Sequence, residues 1–319
     1  MTDVCFVVLS HDDPDQVIRL ITVLSTCPDS SIVVHHDGGR PQFRPPADLP
    51  VRLVPDPVAV QWGTWSQVRA AGAALRLGRD GPARPEWFVF LSGQDFPVRP
   101  LAELRRFLSD SEVDGHIASW PLADVPGWTQ LEVERYTYRW RRLPRALSPG
   151  RLPQWARSRV QSVSRRHRLI RVSDRYGLAP DSVGRPARNY PVPPERMFGG
   201  SEWMMLRANA VDHLLDALGQ ARWTDFFRRS QLPTESFYHT VLAHSAGVHL
   251  DADWRRYQVY EGARAKVLGV ADIPAIEASG AFFARKFVAA EDANVLDYFE
   301  PIAAGRPPSD HPMSPGTDG

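Results

Sequence analysis

The stretch Glu86-Trp-Phe-Val-Phe-Leu-Ser-Gly-Gln-Asp-Phe-Pro-Val98 sets a short apolar run directly against small and polar residues. Trp87 to Leu91 are aromatic or branched and too few for a helix, so they read as a buried central strand. Ser92 and Gly93 let the backbone turn, Asp95 projects a carboxylate where the strand ends, and Pro97 stops the ladder. Ligands of open α/β sheets bind beyond the carboxyl ends of the strands. Asp95 therefore reads either as a site residue or as the cap of its own turn.

The flanking sequence repeats the pattern. Val4 to Leu9 reads as a first strand, and Ser10-His11-Asp12-Asp13-Pro14 turns it into a helix that Asp12 or Asp13 caps and Pro14 opens. Val17, Leu20, Ile21 and Leu24 recur at helical spacing. Ser31 to His36 and Val51 to Val54 read as further strands, Ser66 to Leu77 and Leu101 to Leu108 as helices. This βαβ-type series predicts an α/β fold with a mostly parallel central sheet flanked by helices. Strand ends near His11, Asp37 and Asp95 should share one cleft.

No glycine-rich dinucleotide or P-loop signature follows a strand, which argues against those enzyme classes. His35 and His36 are adjacent on a strand and point to opposite faces, so they do not converge on one metal ion. Past Ile117 the alternation ends. Trp120, Trp128, Tyr136, Tyr138 and Trp140 are interleaved with Glu132, Glu134, Arg135 and Arg139, which suits either a sugar-binding wall or the core of an irregular subdomain. Pro144 to Pro194 reads as an Arg-rich insertion with an amphipathic helix near Trp155 to Leu169. Met197 to Leu206 then forms a strand after two glycines, Ala208 to Leu218 a helix, and Pro233-Thr-Glu235 opens another. Glu235 in that first turn suits the helix dipole. Past Pro301 the composition predicts a disordered tail, 301–319.

The chain has 319 residues, a formal net charge of +1 and two cysteines, Cys5 and Cys27. That excludes a disulfide framework and a Cys-rich zinc site. No run is apolar enough to span a bilayer, and the absence of a leader points to the cytoplasm. Lys266 and Lys286 are the only lysines, whereas Arg135 to Ser173 holds twelve arginines and no acidic residue. Such a run is a solvated face or a polyanion-binding patch; a nucleic-acid partner is not expected, and the oligomeric state is left open.

Taken together, Val7-Val-Leu-Ser-His11, Val33-Val-His-His-Asp37, Trp62-Gly-Thr-Trp-Ser-Gln-Val68, Leu91-Ser-Gly-Gln-Asp-Phe-Pro97, Phe198-Gly-Gly-Ser-Glu-Trp203, Pro233-Thr-Glu235 and Phe283-Ala-Arg-Lys-Phe287 follow one another in an order that resembles glycosyltransferase family 14. That family comprises the core-2/I-branching β-1,6-N-acetylglucosaminyltransferases and the peptide O-xylosyltransferases. The resemblance covers nearly the whole chain. It implies a GT-A fold over 1–300, with a nucleotide-sugar half (1–118), an acceptor-side insertion (119–194) and a catalytic half (195–300). It implies inverting transfer of a GlcNAc- or xylose-type sugar from UDP to an acceptor hydroxyl.

On that resemblance Glu235 is the general base. Lys286, with Arg264 or Arg285, holds the leaving diphosphate without a metal or other cofactor; Arg255 and Arg256 are rivals for the arginine. His11, Asp37, Ser66 and Asp95 are expected on the nucleotide and donor side, with Asp95 orienting the donor sugar or the loop beneath it. Glu134, Arg135, Arg139, Glu202, Trp203 and Trp254 are expected on the side of a carbohydrate or glycosylated small-molecule acceptor. The alternatives are a metal-dependent transferase using Asp251 and Asp253, and a catalytically silent carbohydrate- or nucleotide-binding module.

Overall fold

The computed structural model describes residues 3–142, 182–262 and 264–308, together with 153, 155–156, 158–159, 162–163 and 171–173. Its first half contains β1 (Val4–Ser10), α1 (Pro14–Leu24), β2 (Ser30–His36), β3 (Val51–Leu53), α2 (Trp65–Arg79), β4 (Trp87–Ser92), β5 (Asp95–Pro97), α3 (Leu101–Asp110), β6 (Gly115–Pro121) and α4 (Gln130–Thr137). Three strands follow, β7 (Tyr138–Arg142), β8 (Arg171–Ser173) and β9 (Ser182–Pro186). Then come β10 (Phe198–Arg207), α5 (Ala208–Leu218), α6 (Ala221–Phe227) and α7 (Thr234–Ala243). The last elements are β11 (Leu250–Asp251), β12 (Arg256–Gln258), β13 (Tyr260–Glu261), β14 (Arg264–Ala265), α8 (Ile273–Ala278), β15 (Phe283–Arg285) and α9 (Asn294–Ala303).

A seven-stranded sheet in the order β11-β6-β10-β4-β1-β2-β3 forms the centre. β1 lies parallel to both β2 and β4, so that Val7 stands between Val33 and Phe90. Their continuous apolar runs follow from burial on both faces, since helices cover each side. The sheet is mostly parallel as expected; β10 alone runs antiparallel, against β4 and β6. One core layer packs α1, α3 and α9 on the sheet, and the other packs α2, α5 and α7. Fully buried members such as Phe6, Trp87, Phe88 and Phe90 each contribute roughly 1.5–3 kcal/mol.

Local chemistry explains the starts. Asp13 caps α1 by accepting from the Gln16 amide at 3.1 Å, and Pro14 occupies the first turn. Thr64 caps α2, and Thr129 with Glu132 forms a capping box at α4. Gly199 and Gly200 let β10 lie close to β6. A Cβ on Gly200 would stand 1.8 Å from the Ala118 carbonyl oxygen, and one on Gly199 would stand 2.8 Å from the Trp128 ring.

Three expectations need correction. Pro97 does not stop the ladder: pairing of the central sheet ends at Ser92, and Asp95–Pro97 enters a second, three-stranded sheet, β12-β15-β5, in which Pro97 stands opposite Phe283. Proline is tolerated there because β5 is an edge strand. Regularity does not stop at Ile117 either: β6 continues to Pro121, α4 follows, and β7, β9 and β8 pair into a further sheet. The tail does not begin at Pro301, because α9 runs through it to Ala303. Val295, Leu296 and Phe299 are fully buried on its inner face, and their packing outweighs the one helical hydrogen bond that proline removes. Positions 309–319 lie outside the described residues, as do most of the expected helix at 155–169 and most of the arginine run. No helix among the described residues is long and apolar enough to cross a membrane.

Candidate active site

The carboxyl edge of the central sheet, the second sheet and the first turn of α7 converge on one group of charged side chains. The second sheet does the alignment. Arg285 of β15 stands opposite Asp95 of β5 on one side and Gln258 of β12 on the other. Asp95 is fully buried and forms an ion pair with Arg256, whose side chain is 1% exposed. It also accepts from the Ser92 amide at 2.5 Å and from the Ser92 hydroxyl. Arg256 donates to the Phe90 carbonyl at 2.8 Å. Asp95 thus organises the loop at the strand end and is too enclosed to touch a donor sugar directly.

Arg285 lies above this pair. Its guanidinium stacks over Trp203 at 4.3 Å, and its Nε stands 4.0 Å from Asp95. Arg256 lies 5.7 Å from the same indole. Trp203, only 6% exposed, is therefore a floor that supports two guanidinium groups and not an exposed acceptor wall. Lys286 follows, half-buried, and among the described residues no acid pairs with its ammonium group. The Leu268 amide bonds its carbonyl at 2.9 Å. Arg264 sits exposed in the hairpin of β13 and β14. Lys266 is committed to Asp272 at 2.6 Å. Of the rival arginines, Arg256 is consumed by Asp95, and Arg255 pairs with Asp253 at 3.0 Å.

Glu235 heads α7. Its amide donates to the Leu232 carbonyl at 3.1 Å, and its Oε2 accepts from Arg135 of α4 at 2.8 Å. About a third of its side-chain surface, 30%, still meets solvent. Desolvation by the surrounding protein pushes its carboxyl up to about 7; Arg135 opposes the rise, and Glu202 and Glu132 add to it. Glu202 of β10 is raised in the same sense by burial, against Arg285 and the Thr234 hydroxyl. A carboxyl with this balance is ionised or protonated within the range where proton transfer is useful.

Sequence reasoning missed Tyr260. The residue is 62% exposed, yet it lies within electrostatic reach of Glu235, Arg285 and Glu202; desolvation first and then the two carboxylates raise its phenol, against Arg285. The only signal for it was its place before Arg264, in a hairpin too short to show a period. Tyr238 was missed too: it is buried beside Glu202, and among the described residues its hydroxyl has no partner.

The remaining residues divide. Asp37 lies at the end of β2 as expected and accepts from the Gly39 and Val60 amides, both at 2.8 Å. Burial opposes its ionisation, but those amides, Arg40 and His35 hold it below the usual carboxylate range. His11 is exposed at the end of β1. Ser66 is occupied in the cap of α2, where its hydroxyl accepts from the Gln61 amide and bonds Thr64, both at 2.8 Å. Its hydroxyl is thus engaged in the cap. His35 accepts from the Val58 amide and His36 bonds Ser10, so the two rings point apart as expected.

Of the residues expected to meet an acceptor, Glu134 is buried on α4. Arg139 leaves the cluster to bond the Asp225 carbonyl at 2.8 Å. Trp254 packs half-buried against the core layer of α2, α5 and α7. Asp251 accepts from the Asp253 amide and Asp253 from that of Arg255, both at 3.0 Å, so each carboxylate stabilises its own turn. Among the described residues no three His, Cys, Asp or Glu side chains come together to hold a metal ion.

No protein-family model matches the chain, and no curated protein matches it.

Proposed function

We propose that the chain is an inverting GT-A glycosyltransferase of the family 14 type, moving a GlcNAc- or xylose-type sugar from UDP to an acceptor hydroxyl. The observation that carries this reading is Glu235, a partly open carboxylate poised near neutrality, with the guanidinium of Arg285 across the same cluster. Glu202 and Tyr260 connect the two, since each lies within electrostatic reach of both. An in-line displacement at an anomeric carbon needs these opposed charges.

Glu235 takes the proton of the acceptor hydroxyl as its oxygen bonds to the anomeric carbon. The bond from that carbon to the diphosphate breaks on the opposite face, and UDP leaves with the electron pair. Arg285, Lys286 and Arg264 supply positive charge for it; arginine in particular binds phosphate oxygens through two parallel donors. Asp37 lies at the nucleotide end of the sheet edge and has an oxygen available for a base. A metal is not required by this charge balance.

Release of UDP from a panel of UDP-sugars, with and without excess chelator, tests the reading. Turnover that survives chelation is expected. Loss on chelation would remove metal independence, and saturable UDP binding without turnover of any donor would favour a silent binding module.

A further inference from the structure

The pair formed by Arg135 and Glu235 is asymmetric. Arg135 Nη1 donates to Oε2 of Glu235 at 2.8 Å, while its Nη2 lies 3.6 Å from Oε1 of Glu132, one turn earlier on α4. The guanidinium is closed in by the Trp128 ring at 5.6 Å, and its side chain is only 11% exposed. An arginine held at three points cannot swing toward an incoming acceptor without leaving two carboxylates uncompensated. Among the described residues, no donor reaches Oε1 of Glu235.

Taking Glu235 as the base, we infer that Arg135 is its positioning residue and not an acceptor contact: it pins Oε2 and leaves Oε1 as the oxygen that receives the acceptor proton. This places the acceptor hydroxyl on the side of Glu235 away from α4. It also explains why a glutamate one turn before Arg135 is built into a capping box. Glu132 is fixed by the Thr129 amide at 2.7 Å and the Thr129 hydroxyl at 2.6 Å, so it offers a stationary anchor for the second arm of the fork.

The groups facing Glu235 make the arrangement testable. Arg135 of α4 contacts it, and Glu132 and Tyr136 of α4, Glu202 of β10 and Tyr260 of the hairpin lie within its electrostatic reach, with Arg285 acting on Glu202 and Tyr260. Among the described residues Arg135 is the cation in direct contact with the carboxylate. Removing it leaves desolvation and two neighbouring carboxylates unopposed. A lysine there keeps the charge but not the fork between two acids.

The experiment is a carbon-13 NMR titration of the Glu235 carboxyl, identified as the resonance missing in Glu235→Gln. It is run on the wild type, Arg135→Gln and Arg135→Lys, alongside pH profiles of UDP release from UDP-N-acetylglucosamine and UDP-xylose. The wild-type midpoint is expected at about 7. Arg135→Gln should raise it by about one unit or more, the usual effect of losing an opposite charge in contact, and Arg135→Lys by less. The acid limb of turnover should move with it, giving about a tenfold loss on the acid side that is recovered at high pH.

An unmoved midpoint, or a loss of turnover uniform in pH, would overturn the inference and make Arg135 merely structural. If Arg135→Gln does not fold, the midpoint and profile of Arg135→Lys decide by the same criteria. A displaced midpoint in a protein that turns over no donor would uphold the pairing and remove the base role of Glu235.

Discussion

Arg256 and Asp95 meet in the interior of the protein, with side chains 1% and 0% exposed. Their ion pair ties β12 to the end of β4, where Arg256 also holds the Phe90 carbonyl at 2.8 Å. A buried pair is most costly when one partner is removed and the other charge stays. Asp95→Ala is therefore expected to lower the free energy of unfolding by about 3–5 kcal/mol in urea titrations. A loss below about 1 kcal/mol, as for a surface pair, would show that Asp95 does not organise this corner.

Gly200 is constrained both by its backbone, at φ 159°, and by its neighbour. The atom that a Cβ would strike, at 1.8 Å, is the backbone oxygen of Ala118, which cannot rotate away. Gly200→Ala should destabilise by about 3 kcal/mol, the upper range for overpacking, and lower the melting temperature clearly. An unchanged melt would mean that β10 and β6 have room to separate.

The pH dependence of stability carries two opposite signs. His239 is fully buried, and desolvation lowers its pKa from 6.5 to about 3. Below pH 6.5 the unfolded chain takes up a proton that the folded chain refuses, so this stability is lost as pH falls toward 3. The slope is about 1.4 kcal/mol per pH unit for the one proton. Glu235 runs the other way: its folded pKa is raised from 4.5 to about 7, so its contribution favours the folded state at low pH and is lost as pH rises through that window. Denaturation at pH 7.5 and pH 5.0 should show a smaller acid-side loss in His239→Gln than in the wild type. An equal loss would mean that His239 is protonated in the fold.

Tyr260 contributes little to the core at 62% exposure, but it lies within electrostatic reach of Glu235, Glu202 and Arg285. Tyr260→Phe is expected to melt with the wild type while UDP release falls severalfold. A variant with wild-type turnover would place the phenol outside the reaction.

The strands around β1 and the helices α1, α2 and α5 were legible because each carries its own period, and α1 and α2 their own caps as well. Apolar runs such as Trp87 to Leu91 and the Asp13-Pro14 start need no partner to be read. The second sheet was not legible. β5, β12 and β15 are three residues each, too short for alternation to show, and their pairing joins segments far apart in sequence. Asp95 was visible as a strand-end carboxylate, but its partner Arg256 was one of several nearby arginines until the register was known. In the same way the contact of Arg135 with Glu235 was hidden, because nothing local in the sequence says that α4 sits against the first turn of α7. Ser66 spends its hydroxyl on a helix cap, a use that composition cannot distinguish from ligand binding.

The proposed reaction depends on one carboxylate. UDP release from UDP-N-acetylglucosamine and UDP-xylose at pH 8, compared between the wild type and Glu235→Gln, measures it most directly. The variant should melt like the wild type and turn over roughly 10²-fold more slowly or worse, the usual effect of removing a general base. Equal turnover in the two proteins would contradict the assignment of Glu235 and with it the proposed mechanism.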